Sequence, residues 1–454
     1  HKRGGESFRT EAKMKKGKSI TLLSIICLVM AFLIAMTFVR FSVGVKEYNG
    51  VIGAIEQDYD IAGGTAYTLT LAKDNIEEID DIDEVLKTLR KRMDALGYQT
   101  YSVKAAKSTD EAVKDYEIRI EAKASTNKYG EPDTASLASD VAVVAAYGEL
   151  KFYGGSSSNP TDEILTDGAV IKDAKYTGPV AGTDTTYYQV TVEFTDYAFK
   201  EIMDKINAGT FYFKMTLGDT TLMSGTDALS ETYFQNKSLG IYVGSEAGAK
   251  QAALQISSGG LAYKYEVSDG VTVSAPYGEK TAFICAVAIA AVAILVIVAF
   301  FVIGKGYGLV AGLTLVLFLI AETLMLIAVP GVRLSLGGVF GIILSTVLAA
   351  DGLMITYRRI VEEYKSGKMV KTAVKNGFRR SVMPILGGSV ACGVVALLLF
   401  FLASGTLRGF AVTFGIGAVV SFISNMLFAR MFASLILPLS NYGEKFLNLK
   451  REDA

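Results

Sequence analysis

The stretch STVLAADGLMITYRR, Ser345 to Arg359, sets an aspartate, Asp351, inside a run that is otherwise apolar from Leu334 to Tyr357. The run is long enough to cross a bilayer, which takes about 20 apolar residues. A carboxylate at that depth costs about 2.5–3.5 kcal/mol on insertion scales, so something must offset it. Whether Asp351 is a working part depends on what surrounds this run.

Working outward, five more runs qualify as spans: Ile20–Val43, Thr281–Ile303, Leu309–Val329, Val382–Ala403 and Phe410–Leu437. The chain of 454 residues is 51% hydrophobic with mean hydropathy +0.35, too apolar for an ordinary soluble protein. Net charge is −1, which gives no reason to expect nucleic acid as a partner. A long polar stretch separates the first and second runs. The plan is one span (20–44), a large polar domain (45–280), then a bundle of five (281–437) and a short tail (438–454).

Lysine and arginine set the orientation. Lys13, Lys15, Lys16 and Lys18 precede the first span, and Lys445, Lys450 and Arg451 follow the last. The segment between the fourth and fifth spans carries Arg358, Arg359, Lys365, Lys368, Lys371, Lys375, Arg379 and Arg380. Six crossings put all three segments on one side, which the positive-inside rule makes the cytoplasm. The polar domain is then extracytoplasmic. Residues 1–13 read as an upstream extension and MKKGKS from Met14 as a bacterial start. The first apolar run is too long, and lacks the small-residue cleavage pattern, for a removed signal peptide, so it reads as an uncleaved anchor.

Cys27, Cys285 and Cys392 all fall in expected spans, so the exterior domain has no disulfide and no thiol nucleophile. The one histidine is His1, which excludes a His-based metal site, a Ser-His-Asp triad and a histidine proton relay. No enzyme activity, cofactor or metal site is expected.

The exterior domain reads as α+β. TAYTLTL (Thr65–Leu71) alternates like a strand. IDEVLKTLRKRMDALG (Ile82–Gly97) is an amphipathic helix with Val85, Leu86, Leu89, Met93 and Leu96 on one face and Gly97 as its stop. The strands YQTYSVKA and DYEIRIEA, the helix TASLASDVAVVAAYG and the strand ELKFYG follow. That βαββαβ order is ferredoxin-like. YYQVTVEF, TDYAFKEIMDKINAG and FYFKMTLGD then form an inserted subdomain, about 154–244, among Gly/Ser-rich loops. The base, about 60–153, is completed by a helix and a returning strand in 245–279.

These segments carry a resemblance. DIAGGTAYTL is similar to the Asp-Leu-x-Gly-Gly motif after the first span of the SecD/SecF family. LRKRMDALG resembles its Arg-x-Arg-x-x-x-Leu-Gly helix end, and ISSGGL its Leu-x-x-Gly-x-Leu. LGGVFGIILSTVLAADGLMITYRRIVEE is similar to the family's fourth span. LRGFAVTFGIGAVVSFISNMLFAR resembles its sixth. The ordered set spans nearly the whole chain from Met14. It implies an α-helical six-span bundle, the RND-like half, with an extracytoplasmic ferredoxin-like domain. It also implies an accessory subunit of bacterial protein export in the cytoplasmic membrane, driven by the proton motive force. The partners implied are a separate SecF chain as heterodimer, the SecYEG translocon, a YidC-type insertase, unfolded exported proteins and membrane lipids. Two departures stand out. The family's Val-Asp-Ala-Asn is Ala350, Asp351, Gly352 and Leu353 here, and its fifth-span Asp-Ala-Asn-x-Thr-Thr is Gly387 to Cys392.

Asp351 is thus a candidate proton carrier or one half of a structural ion pair. Arg358 is about 10 Å away along the helix axis at 1.5 Å per residue, long for direct contact. Arg430, at similar depth in the last span, is the expected partner. Glu322 lies roughly 10–15 Å further outward. It is either an outer proton relay or an acid facing the partner subunit or a water-filled crevice. Asp60, Gly63 and Gly64 form the junction motif between first span and exterior domain, the glycines as a turn and Asp60 as a cap or transmitter. The glycine pairs 259–260, 337–338 and 387–388 suit turns or close packing. The basic segment 358–380 reads as topology determinant and lipid contact. Two rival functions remain: half of an RND-type small-molecule exporter, and a non-energised anchor of the translocon.

Overall fold

The computed structural model describes residues 16–38, 41–43, 46–48, 55–72, 81–107, 116–125, 133–165, 170–181, 186–218, 220–223, 228–261, 263–278, 280–329, 332–403, 405–439 and 443–449. The expected extension at 1–13 lies outside them. The chain divides into two compact units, 1–62 with 274–454, and 63–273.

The first helix, α1 (Lys16–Phe38), opens on Lys16 and Lys18 and is apolar on every face beyond its first turn. The apolar run does not stay helical to Val43 as expected, because Phe41–Val43 is a short strand paired with Lys46–Tyr48. β-branched and aromatic residues favour that extended form.

Residues 63–273 hold two cores. The first is built on β1 (Gly64–Leu71), α2 (Ile82–Ala95), β2 (Tyr101–Lys107), β3 (Tyr116–Ala122) and α3 (Thr134–Ala145). Asp81 caps α2 by accepting from the Asp83 and Glu84 amides. The helix ends where the Tyr98 amide donates to Met93 O and the Gly97 amide to Asp94 O. Gly97 takes the positive φ, +90°, that this ending requires. Val85, Leu86, Leu89 and Met93 are buried as the periodicity predicts, whereas Leu96 is exposed, since it sits beyond the last full turn.

The second core belongs to the insertion: β4 (Leu150–Gly155), β5 (Glu163–Ile164), β6 (Ile171–Ala181), β7 (Thr186–Phe194), α4 (Asp196–Asn207), β8 (Tyr212–Leu217), β9 (Thr220–Met223), β10 (Phe234–Gln235), β11 (Ser238–Val243) and α5 (Glu246–Ser258). Two four-stranded sheets, β9-β8-β4-β5 and β10-β11-β7-β6, enclose Phe152, Phe194 and Phe213. The rings of Phe152 and Phe213 stack with centroids 5.9 Å apart. The chain then returns as β12 (Tyr265–Val267) and β13 (Val271–Val273), both against β1.

The first sheet therefore runs β12-β1-β3-β2, all antiparallel, which is the ferredoxin-like order with its last strand supplied after the insertion. ELKFYG was expected to be that last strand. Instead it is β4 and pairs with β8 from Leu150↔Leu217 to Gly155↔Tyr212. Alternation marks a strand but does not choose its neighbour; Phe152 finds its apolar surroundings in the insertion.

The other unit continues with α6 (Thr281–Gly304), α7 (Gly306–Ala328), α8 (Leu336–Lys365), α9 (Val370–Leu402) and α10 (Thr406–Ile423). A π-helical segment, Ser424–Phe428, joins α10 to α11 (Ala429–Ile436). With α1, these give six helices long and apolar enough to cross a membrane. α8 and α9 run well past the expected span limits, so the basic segment is mostly helix and the turn shrinks to 366–369. Buried Glu363 explains this extension. Its Oε1 meets Arg380 at 2.7 Å, while Oε2 accepts from Asn376 at 3.0 Å and from Lys368.

α8 packs tightly on α10. A Cβ on Gly337 would lie 2.2 Å from Thr406 O, and one on Gly341 2.0 Å from Thr413 Oγ1. Gly387 and Gly388, by contrast, have nothing within 4 Å, so that pair neither packs nor turns among the described residues.

Candidate functional site

Three acids occupy distinct environments in the bundle unit. Asp60, in a short helical turn (Tyr59–Ala62), is 6% exposed. Its Oδ2 accepts the Leu336 amide at 2.7 Å, which places a carboxylate on the first turn of α8, the end favoured by the helix dipole. Its Oδ1 makes no hydrogen bond among the described residues. Backbone bonds fasten the segment beside it: the Asp58 amide to Leu334 O (2.9 Å) and the Leu334 amide to Glu56 O (2.7 Å). Burial pushes the Asp60 carboxyl up to about 6; the Leu336 amide opposes this and the neighbouring Asp58 adds to it. Gly63 follows with φ +77°. Gly64 lies so close to Ala122 O that a Cβ would sit 2.2 Å from it.

Glu322 on α7 is 1% exposed. Ser345 Oγ on α8 donates to its Oε1 at 2.7 Å. A Cβ on Gly417 of α10 would come within 2.4 Å of the same oxygen, so the acid fits because residue 417 has no side chain. Its Oε2 has no hydrogen-bond partner among the described residues. The acid faces the interior of this chain's own bundle, which overturns the alternative that it faces a partner subunit.

Asp351 is exposed on α8, and Arg430 is exposed on α11. No salt bridge joins them among the described residues, so the expected pair is not formed. Equal depth was read from residue counts, but facing depends on helical phase. A π-helical segment, Ser424–Phe428, lies just before Arg430 and changes the helical phase there.

Sequence reasoning missed the polar groups beside these acids. Asn425, in the π segment and 1% exposed, donates to Ala349 O (3.2 Å) and Ser421 O (2.9 Å). Its Oδ1 is left without a partner among the described residues. It also packs on Gly352, where a Cβ would be 2.5 Å from Asn425 Nδ2. Thr356 Oγ1 donates to Ser381 Oγ at 3.1 Å, tying α8 to α9. An asparagine within an apolar run was the available signal for Asn425. Ser345 carried none, because helical serines commonly bond their own backbone, as Ser345 also does at Ile342 O. The three cysteines are free, and no cluster of three or more potential metal ligands occurs among the described residues.

Among the described residues, six helices long and apolar enough to cross a membrane, with a ferredoxin-like α+β domain between the first and second in the sequence, define a multi-pass membrane protein. No protein-family model matches the chain. Protein translocase subunit SecD of Sebaldella termitidis is 27% identical over 405 residues, covering 86% of this chain and 92% of that one. SecD of Acidaminococcus fermentans is 26% identical, covering 89% and 88%. A crystal structure of SecDF in its super-membrane-facing form superposes with TM-score 0.64 at 21% identity, covering 93% of this chain and 57% of that one. This chain thus spans a little over half the length of that SecDF chain. Over most of its length the chain is similar to these SecD proteins.

Proposed function

We propose that the chain is the SecD-type accessory subunit of bacterial protein export and that it uses the proton motive force to assist late translocation. The observation that carries this reading is the end-to-end match: 92% of the Sebaldella protein translocase subunit aligns, so the match takes in both the exterior domain and the bundle. Two features support force coupling. Asp351 is an exposed acid with no ion-pair partner among the described residues, in a span where an uncompensated charge is costly. A second six-span bundle, SecF-like, would supply its counter-charge. Glu322 sits inside the chain's own bundle and, with Ser345, is the natural outer relay.

In this reading the basic ends face the cytoplasm and residues 63–273 lie outside the cytoplasmic membrane, where exported polypeptide emerges from a SecYEG-type translocon. The chain performs no covalent chemistry. The experiment is depletion of the chain in its own cell, followed by pulse-chase of a secreted reporter. Precursor should accumulate at the membrane. Normal secretion together with raised sensitivity to small toxic molecules would favour the exporter alternative instead.

A further inference from the structure

The LRKRMDALG segment contains a charge that none of the above uses. Arg92 on α2 is fully buried, 0% exposed, and no carboxylate lies within salt-bridge range of it among the described residues. Burying an unpaired guanidinium is costly, so its surroundings must supply acceptors in full. They do. Nη1 donates to Val144 O and Ala146 O, both at 2.8 Å. Nη2 donates to Gly259 O at 3.1 Å, and Nε to Ser258 Oγ at 3.1 Å. Val144 and Ala146 end α3, while Ser258 and Gly259 end α5. Both are helix C-termini, where carbonyls lack intrahelical donors and the dipole is negative.

The position of these two ends matters. Among the described residues the chain passes between the two cores of residues 63–273 twice. It leaves the ferredoxin-like core through Ala146–Glu149 into β4, and it comes back through Gly259–Leu261 out of α5. The two crossings form a narrow neck. The Gly148 amide donates to Leu261 O and the Leu261 amide to Gly148 O, each at 3.1 Å. Gly259 holds a positive φ of +100°, and a Cβ on Gly260 would lie 3.1 Å from Gly148 O. Leu261 is buried in the ferredoxin-like core, while Gly148 packs against Leu217 of the insertion. One guanidinium, rooted on α2 of the first core, therefore grips both crossings at once.

We propose that Arg92 is a positioning residue: it latches the two-stranded neck and so sets how the inserted subdomain is carried on the ferredoxin-like sheet. The planar fork is what the job needs. A lysine offers one point charge and cannot reach acceptors on both crossings in the same geometry. Burial lowers the guanidinium only to about 10, so the latch stays charged at physiological pH. The inference stands on contacts within the exterior domain and does not depend on the chain's role in export.

The test is hydrogen exchange followed by mass spectrometry on the full-length protein in lipid nanodiscs. Arg92→Met keeps the bulk and removes every donor. Peptides covering 146–149 and 259–261 should then exchange about ten- to a hundredfold faster. Peptides holding Ile118 and Ile120 in one core, and Val190 and Val192 in the other, should keep their protection. Arg92→Lys should recover part of the neck protection. Ser258→Ala, which removes one acceptor and leaves the guanidinium in place, should loosen the same two segments by a smaller factor, and it decides the matter if Arg92→Met does not fold. Unchanged neck exchange in the variants, or acceleration spread equally through both cores, would overturn the proposal and make Arg92 an ordinary buried residue.

Discussion

Asp60 shows how one carboxyl at a helix start becomes a pH-dependent element. Its folded value is about 6 against an ordinary 3.8, raised chiefly by burial. The folded state therefore holds a proton through that window that the unfolded chain has released. The stabilisation is complete below about pH 4 and is lost as pH rises through 6, a change on the order of 2–3 kcal/mol. The purified protein should melt several degrees higher at pH 4.5 than at pH 7.5. Asp60→Asn, which still offers an oxygen to the Leu336 amide, should flatten that difference. A pH dependence unaltered in Asp60→Asn would place its origin elsewhere. At this scale the sequence made single residues legible better than pairs. Asp351 and Glu322 stand out because acids are rare in apolar runs. That Glu322 meets Ser345 while Asp351 misses Arg430 depends on which helix faces meet, and composition does not register this.

Among the elements, the glycines of the bundle divide by what they touch. Gly341 lets α8 approach α10 so closely that a Cβ would stand 2.0 Å from Thr413 Oγ1 and 2.9 Å from Phe410 O. Gly341→Ala should cost about 1–3 kcal/mol through forced separation of these helices. Gly387→Ala, on an open face of α9, should stay within about 0.5 kcal/mol. Thermal unfolding of the isolated chain in detergent measures both, and equal losses would contradict this division. The elements themselves were largely readable. Period-3.6 patterning located α2 and α4, and alternation located β1, β3 and β7, because each buries one face. What local sequence could not say was which strand joins which sheet. β4 pairs with β8 inside the insertion, and β12, more than a hundred residues after α3 ends, closes the ferredoxin-like sheet. The helical extension of α8 and α9 beyond the apolar runs was hidden for a related reason. Glu363 gathers Lys368, Asn376 and Arg380 through contacts that hydropathy does not register.

For the whole molecule, six apolar helices and the distribution of lysine and arginine predict which side each segment faces. With the natural cysteines replaced, a cysteine at Ser156 should react with a membrane-impermeant thiol reagent on intact protoplasts, and one at Lys371 should react after lysis alone. The opposite pattern would reverse the orientation. The force available is limited: about 2.3 kcal/mol per charge for each 100 mV. One proton can bias a small conformational equilibrium, and it cannot by itself draw a long segment through the membrane. Coupling by Asp351 is therefore tested most directly by measuring proton-motive-force-dependent stimulation of export in membrane vesicles whose only copy of this chain carries Asp351→Asn. That substitution keeps shape and hydrogen bonding and fixes the neutral form. Stimulation should vanish while chain levels and assembly with the second bundle are unchanged, and Asp351→Glu should retain part of it. Wild-type stimulation by Asp351→Asn would contradict coupling through this residue and leave the chain an anchor of the translocon.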